Sequence, residues 1–505
     1  MQIDVQRQTL RLMAAATWQS FVALTRPNGL PADHIQATGE WANYTSPTNI
    51  GAYLWSALVA HDLEIITATE AYERIRQTLA TVAKLERHEP SGQFYNWYST
   101  DTGAKLTNWP PTGHVLHPFL SSVDNGWLAT ALIMVANGMP ELRDQANALL
   151  DPMDFGFYYD PEAGLLRGGY WPEPPNQCHT HGYTRHHYGA LNTETRIASY
   201  IGIARGQIPA THYFKLGRTI PETCAWDEGN PGLHGNLGLP TMQPHGGWKN
   251  YLGVDVFEGC YSYMGLNLVP SWGGSMFEAL MVPLFVPEET WGLRSWGINH
   301  PLYVQAQILH GLVEAQYGYW GFSPANNPSG GYREYGVDGI GMLADGYASN
   351  NDNTLLNYGF SNHKGRTVHA APPPSAYTNG VVTPHAVFLA LNFAPEATLA
   401  NLSNLCRDFP IYGPWGFWDS VNVETGEVST SVLALDQGMI MMALGNALSQ
   451  NRTQSYFTKG CIEEALRPLL TLETFTAGAS VDAMPDILLV DWPIAREHAF
   501  ITIHA

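Results

Sequence analysis

Apolar residues recurring at i, i+3, i+4 and i+7 mark about twelve helical segments along this chain, and that pattern constrains its fold more than any other feature. The segments lie near 4–25, 49–63, 67–86, 123–136, 140–150, 190–205, 275–286, 300–316, 384–392, 395–409, 436–449 and 453–468. Several have start signals: Thr67 and Thr69, Asp124, Pro140 with Glu141, and Pro395 with Glu396. No repeat of 30–45 residues with a shared motif links them, and the connections are very unequal, which argues against a solenoid. The packing solution that remains is all-α: six helix pairs closed into a single (α/α)6 toroid, whose inner helices point their N-terminal ends toward one face.

The long connections, 87–122, 152–189, 206–274, 317–383 and 410–435, are rich in Gly, Pro, Asn and aromatic residues. Loops of that length in a compact domain usually carry function, so they are expected to wall a cleft. A hydrophobic fraction of 45% against a charged fraction of 14% supports one large core. With no charge shift or low-complexity run in the interior, residues 1–469 read as one domain. In the remaining 470–505, DILLVDW and HAFITIHA read as short strands laid against the toroid.

A formal charge of −20 repels phosphate backbones and anionic lipid, so neither nucleic acid nor membrane is an expected partner. No protein partner is expected either. The N-terminal stretch carries Asp4, Arg7 and Arg11 in an amphipathic pattern, unlike a signal peptide or a span. The expectation is a soluble protein, secreted or periplasmic with its signal removed, with the cytoplasm as the alternative. Five cysteines, at 178, 224, 260, 406 and 461, lack C-x-x-C spacing and leave one thiol free if any pair is bridged.

Two acids stand out. Ser275-x-x-Glu278 follows a Trp-Gly-Gly loop, so Glu278 either closes a capping box onto Ser275 or presents its carboxyl to the cleft beside Trp272, whose ring would exclude water and raise its pKa. Asp436, in LALDQGMIMMAL, reads as the N-cap of a buried helix or as a base paired with Glu278. Glycoside hydrolysis needs such a pair: one protonated carboxyl for the leaving oxygen, one carboxylate for water or for C1. Asp124 opens another helix, as a cap or as a ligand for a sugar hydroxyl. Glu194 and Arg196, with Arg185 upstream, form either a buried ion pair or hydroxyl-binding groups.

Aromatics crowd the same loops: Tyr170, Trp171, Trp248, Tyr251, Trp320, Tyr332, Trp415, Phe417 and Trp418. Stacking on pyranose faces explains rings in polar loops, although several must anchor those loops. Cys178, His179, His181, His186 and His187 match neither zinc-finger nor H-E-x-x-H spacing, so no metal is expected, and no cofactor. No phosphate loop, dinucleotide fingerprint or nucleophile elbow is present. The rival readings are a polysaccharide lyase, for which the basic cluster is thin, and a non-catalytic glycan-binding toroid.

FYNWYSTDTGAKL, SSVDNGWLATALI, LNTETRIASYIGIARGQIP, SWGGSMFEALMVPL, GGYREYG, VVTPHAVFLAL, GPWGFWDSVN and LDQGMIMMAL occur in this order over residues 90–450. In them the chain resembles the glucoamylase-like (α/α)6 glycoside hydrolases, related to glycoside hydrolase families 144 and 162 and the transglycosylase domain of cyclic β-1,2-glucan synthases. The resemblance implies an inverting endo-β-1,2-glucanase with a poly- or oligosaccharide substrate, the general acid at Glu278 and the general base at Asp436. It also implies that these carboxyls can act through a substrate hydroxyl or a water chain. A retaining hydrolase, a transglycosylase or an exo-acting glycosidase of another linkage are the alternatives within that resemblance. The His-rich loop, the stretch 339–380 and the tail depart from the family pattern.

Overall fold

The computed structural model describes residues 2–175, 182–184, 187–219, 244–342 and 380–479. Its helices are α1 (Gln2–Leu24), α2 (Pro47–Asp62), α3 (Ala68–Val82), α4 (Ser122–Gly138), α5 (Arg143–Leu150), α6 (Arg196–Ala204), α7 (His212–Lys215) and α8 (Met276–Leu280). They continue with α9 (Glu288–Trp291), α10 (Trp296–Leu309), α11 (Pro384–Leu389), α12 (Pro395–Asp408), α13 (Ala434–Ser449), α14 (Arg452–Thr458) and α15 (Cys461–Leu472).

Six of them close a ring. Helix α2 packs on α4, α4 on α6, α8 on α11, α11 on α13, and α13 back on α2. The α6–α8 step is joined by Arg196, which donates to the carbonyls of Glu278 (3.2 Å) and Ala279 (2.8 Å). Helices α2, α4 and α13 are buried along nearly their whole length, as inner staves must be. Helices α3, α5, α12 and α15 bury one stripe each and form the outer layer. The inner staves approach closely because small residues face their neighbours: a Cβ on Gly51 would stand 2.9 Å from the Trp127 carbonyl oxygen.

Several expected helices are shorter than their apolar pattern. The stretch 275–286 stops at Leu280 and resumes as a single 3-10 turn, Val282–Leu284, around Pro283, which lacks the N–H a continued helix requires. The stretch 190–205 becomes helical only at Arg196, because Thr193 and Glu194 are committed to another element, described below. The segment 453–468 divides into α14 and α15 at Gly460.

The expected loop 206–274 is partly a sheet. Strands His245–Tyr251, Val254–Tyr263 and Leu266–Leu268 pair antiparallel, with Trp248 opposite Phe257, and Gly478–Ala479 adds to the last of them. Leu252 and Gly253, at φ 51° and 84°, make the two-residue turn of the first hairpin. Leu252 hides that turn from sequence reading, since a branched residue rarely adopts positive φ. Of the 470–505 extension, the described residues reach the two-residue strand Gly478–Ala479, while DILLVDW and HAFITIHA lie outside them. Cys260, Cys406 and Cys461 are free thiols, and no described helix is long and apolar enough to cross a membrane.

Candidate active site

Each inner stave brings a polar side chain from its first turn, or from the two residues ahead of it, to one mouth of the ring. These are Thr48 on α2, Asp124 on α4, Glu194 before α6, Glu278 on α8, His385 on α11 and Asp436 on α13. A carboxylate there sits at the positive end of the helix dipole, which offsets part of the cost of burying it.

On one side of the mouth, Glu278 is 8% exposed and its carboxylate does not close a capping box. Ser275 Oγ caps α8 by accepting from the Glu278 N–H at 3.1 Å, but Oε2 of Glu278 turns away and accepts from Thr193 Oγ1 (2.6 Å) and the Glu194 N–H (2.9 Å). The Trp-Gly-Gly approach is tight, since a Cβ on Gly274 (φ +70°) would fall 1.9 Å from the Val337 carbonyl oxygen. Burial pushes the Glu278 pKa up to about 7; the two donors and Arg196 oppose the shift, and Glu334 adds to it. Glu194 accepts from Trp127 Nε1 (2.6 Å), and its pKa is also driven well up, by burial and then by Glu278.

Asp124 is not the cap of α4; Ser121 is, and Asp124 is the third helical residue. Its carboxylate accepts from Thr48 Oγ1 (2.6 Å) and from the Asn96 amide (2.9 Å). Burial raises its pKa, with Asp33 contributing.

On the other side, Asp436 is likewise the third residue of its helix, with Leu433 at the cap position. Its carboxyl is 3% exposed and lies 3.2 Å from His385 Nδ1. Burial lifts its pKa to about 7, with Asp33 adding and a hydrogen bond from Asp419 subtracting. Tyr332, 52% exposed, connects the two sides: its phenol lies in the fields of Asp436, Asp419, Glu334 and Glu194. The mouth therefore gathers six carboxyls, Glu278, Glu194, Asp124, Asp33, Asp436 and Asp419.

The other expected site residues divide. Arg196 does not reach the mouth. Its side chain is wholly buried and forks onto Glu288 (2.8 and 2.9 Å), while its remaining donors hold the carbonyls of Thr193, Glu278 and Ala279. Tyr200 and His300 complete the shell of Glu288, whose carboxyl is held down at about 2 by Arg196 despite burial. Arg196 thus fixes the backbone from which Glu194 and Glu278 project, rather than touching a ligand. Phe417 is core, packed edge-on against Phe388 and Tyr412. Trp418 is nearly buried against the half-buried Trp415. Tyr170 anchors a cluster with His88, Phe157 and Tyr183, and Trp248 stands 60% exposed on the edge strand of the sheet, against Phe257. Trp272 lies on a two-residue strand leading to the Gly-Gly turn. Arg185, Cys178, His179, His181 and His186 lie outside the described residues; His187 pairs with Asp160 at 3.0 Å. Thr193, Asn96, His385 and Asp419 were not singled out from the sequence. Asp419 had a signal, following the aromatic run GPWGFW in a loop expected to line the cleft.

Two expectations follow. Arg196→Met should destabilise the fold by about 3–5 kcal/mol, because it strands the Glu288 carboxylate in the core; urea unfolding at pH 7 measures this. The raised pKa values of Glu278 and Asp436 give stability that is fully present below the ordinary carboxyl range and lost as pH climbs through about 7. The melting temperature should therefore fall from pH 5 to pH 8, and fall less in Glu278→Gln, as followed by scanning fluorimetry.

An all-α ring of six inner staves, carrying buried carboxyls at its mouth, defines a glucoamylase-like (α/α)6 toroid. Comparisons agree: residues 237–459 match the family described as "Putative glucoamylase", and residues 12–156 match "Protein of unknown function (DUF3131)". A curated relative, the cyclic β-(1,2)-glucan synthase NdvB of Rhizobium meliloti, is 24% identical over 92% of this chain; the match spans 18% of that relative's length. Among solved structures, the endo-β-1,2-glucanase of Chitinophaga pinensis, in complex with sophorotriose and glucose, superposes with a TM-score of 0.63 at 15% identity, over 92% of this chain and 98% of that one. That of Talaromyces funiculosus, with β-1,2-glucan bound, gives 0.58 at 13% identity, over 94% and 91%.

Proposed function

We propose that this chain is a glycoside hydrolase that cleaves β-1,2-glucan with inversion, Glu278 serving as general acid and Asp436 as general base. The observation that carries the reading is the pair of buried, pKa-raised carboxyls on two staves of one mouth, α8 and α13, with Tyr332 in the fields of Asp436 and of Glu194, the neighbour of Glu278. A raised Glu278 keeps its proton near neutrality and can deliver it to the departing oxygen, directly or through a sugar hydroxyl. Asp436 removes a proton from the attacking water on the other face. The relatives named for β-1,2-glucan share the fold, and their names supply the substrate class. A pocket of about 200 Å³ lined by Trp97, Phe119 and Trp171 opens beside Asn96, the partner of Asp124, and offers stacking faces for a sugar beyond the acids.

Proton NMR during digestion of linear β-1,2-glucan tests the stereochemistry. Inversion requires the α-anomer of the new reducing end to appear first and the β-anomer to grow in by mutarotation. A second reading rests on the contact between Glu278 and the Glu194 backbone, which brings two carboxyls to one side of the mouth. Such a pair suits a retaining or transglycosylating reaction, and the named synthase relative favours it. First appearance of the β-anomer, or of cyclic or lengthened products, would establish that reading instead.

A further inference from the structure

Around Asp436 the hydrogen-bond inventory does not close with charged carboxylates. Thr383 Oγ1 donates its single proton to the Asp419 carbonyl (2.6 Å), so its 2.8 Å contact with His385 must receive the Nδ1–H of the imidazole. His385 Nε2 is then the acceptor for Ser323 Oγ (2.9 Å). Both nitrogens of His385 are engaged, and burial, lowering its pKa to about 4, keeps the ring neutral. Asp419 Oδ2 accepts the Asn326 N–H at 2.5 Å. Two buried oxygens are left over with no hydrogen-bond partner, Asp419 Oδ1 and Asp436 Oδ2; the latter lies 3.2 Å from His385 Nδ1, whose proton is directed to Thr383. The two carboxyls and the imidazole each place an atom within 4.8 Å of the others.

A metal ion in this cluster would have to strip His385 of a hydrogen bond to gain a third ligand. A proton held between the carboxyls satisfies the leftover oxygens with nothing displaced. We infer that Asp419 is a positioning residue for Asp436: it carries the proton of a buried carboxyl pair and donates it as a hydrogen bond to the Asp436 carboxylate. The inference deepens the base assignment proposed above and rests on it. Asp419 touches no reacting atom in this scheme. It aims the base, lowers the pH at which the base ionises, and holds its own proton through the cycle, while the proton Asp436 takes from water leaves to solvent afterwards. The groups facing Asp436 are Asp419 from the link between strands Gly416–Phe417 and Ser420–Asn422, His385 from α11, Asp33 from the loop after α1 and Tyr332 from the 325–333 hairpin. Tyr332 reaches Asp436 through its field, the His385 Nδ1–H is directed to Thr383 and Asp33 adds repulsion, so Asp419 is the neighbour left to supply the hydrogen bond.

The test is the pH profile of kcat/KM for β-1,2-glucan in Asp419→Leu and Asp419→Asn. Losing the donor raises the pKa of Asp436, so the acid limb in Asp419→Leu should move up by about one unit or more, with at least a tenfold loss at pH 6 that shrinks toward pH 8. Asn keeps an N–H for Asp436 and a carbonyl for Asn326, and should return the limb close to its wild-type position. An unmoved limb in Asp419→Leu overturns the inference. So does an equal loss in both variants at every pH. So does loss of wild-type activity on chelation with recovery on adding a divalent ion. Should the Leu variant fail to fold, the infrared difference between wild type and Asp419→Asn at pH 7 decides: the C=O stretch of a protonated carboxyl must disappear, and its persistence overturns the inference. A fully active Asp436→Asn would refute the base assignment instead, so the two failures are distinguishable.

Discussion

Glu278→Gln is expected to lower kcat on β-1,2-glucan by about 1,000-fold, in the middle of the range for loss of a general acid. The substitution is conservative in this setting. The Gln carbonyl can accept from Thr193 Oγ1 and the Glu194 N–H as the carboxylate does, and the Glu278 N–H bond to Ser275 involves no side-chain atom of Glu278. Fold and glycan affinity should therefore persist, with calorimetry giving a dissociation constant within a few-fold of wild type. The loss should nearly vanish on a dinitrophenyl-capped β-1,2-gluco-oligosaccharide, whose leaving group departs without a proton. Full activity of the variant on native glucan would remove Glu278 from the mechanism.

Asp436→Asn should cost a similar factor, about 100- to 10,000-fold, for the opposite reason. The water must still be deprotonated whatever the leaving group, so the capped substrate should not rescue this variant. Stopped assays of both variants on both substrates give a two-by-two pattern in which acid and base separate cleanly. Rescue of both, or of neither, would mean that the roles are assigned wrongly, and in the first case the Glu194–Glu278 pair becomes the catalytic one.

Asp419 illustrates why local reading reached only part of the site. In the sequence it is one acid after an aromatic run, 17 residues before Asp436. Its consequence arises only because the link between strands Gly416–Phe417 and Ser420–Asn422 brings it to Asp436 at the start of α13, burying two acids where one backbone N–H serves Asp419 and the imidazole is engaged with Thr383 and Ser323. Arg196 is the converse. Its motif placed it beside Glu194 and suggested that pairing, but the closure of α6 on α8 offers it Glu288, 92 residues on, with a bidentate geometry Glu194 cannot match.

What the chain determines by itself is the set of staves and which of their ends carry acids. Apolar period and start signals are local properties, and they place Asp124, Glu278 and Asp436 in first turns whatever the helices pack against. Breaks at Pro283 and Gly460 are equally local, while the hairpin at Leu252–Gly253 hides behind a residue that seldom turns that way. Whether a first-turn acid is a cap or a catalyst is decided by tertiary structure. Ser121, Ser275 and Leu433 take the cap positions, and closure of the ring turns the three freed carboxyls onto one water-poor mouth, where burial first, and then repulsion from Asp33 and Glu334, raises their pKa values.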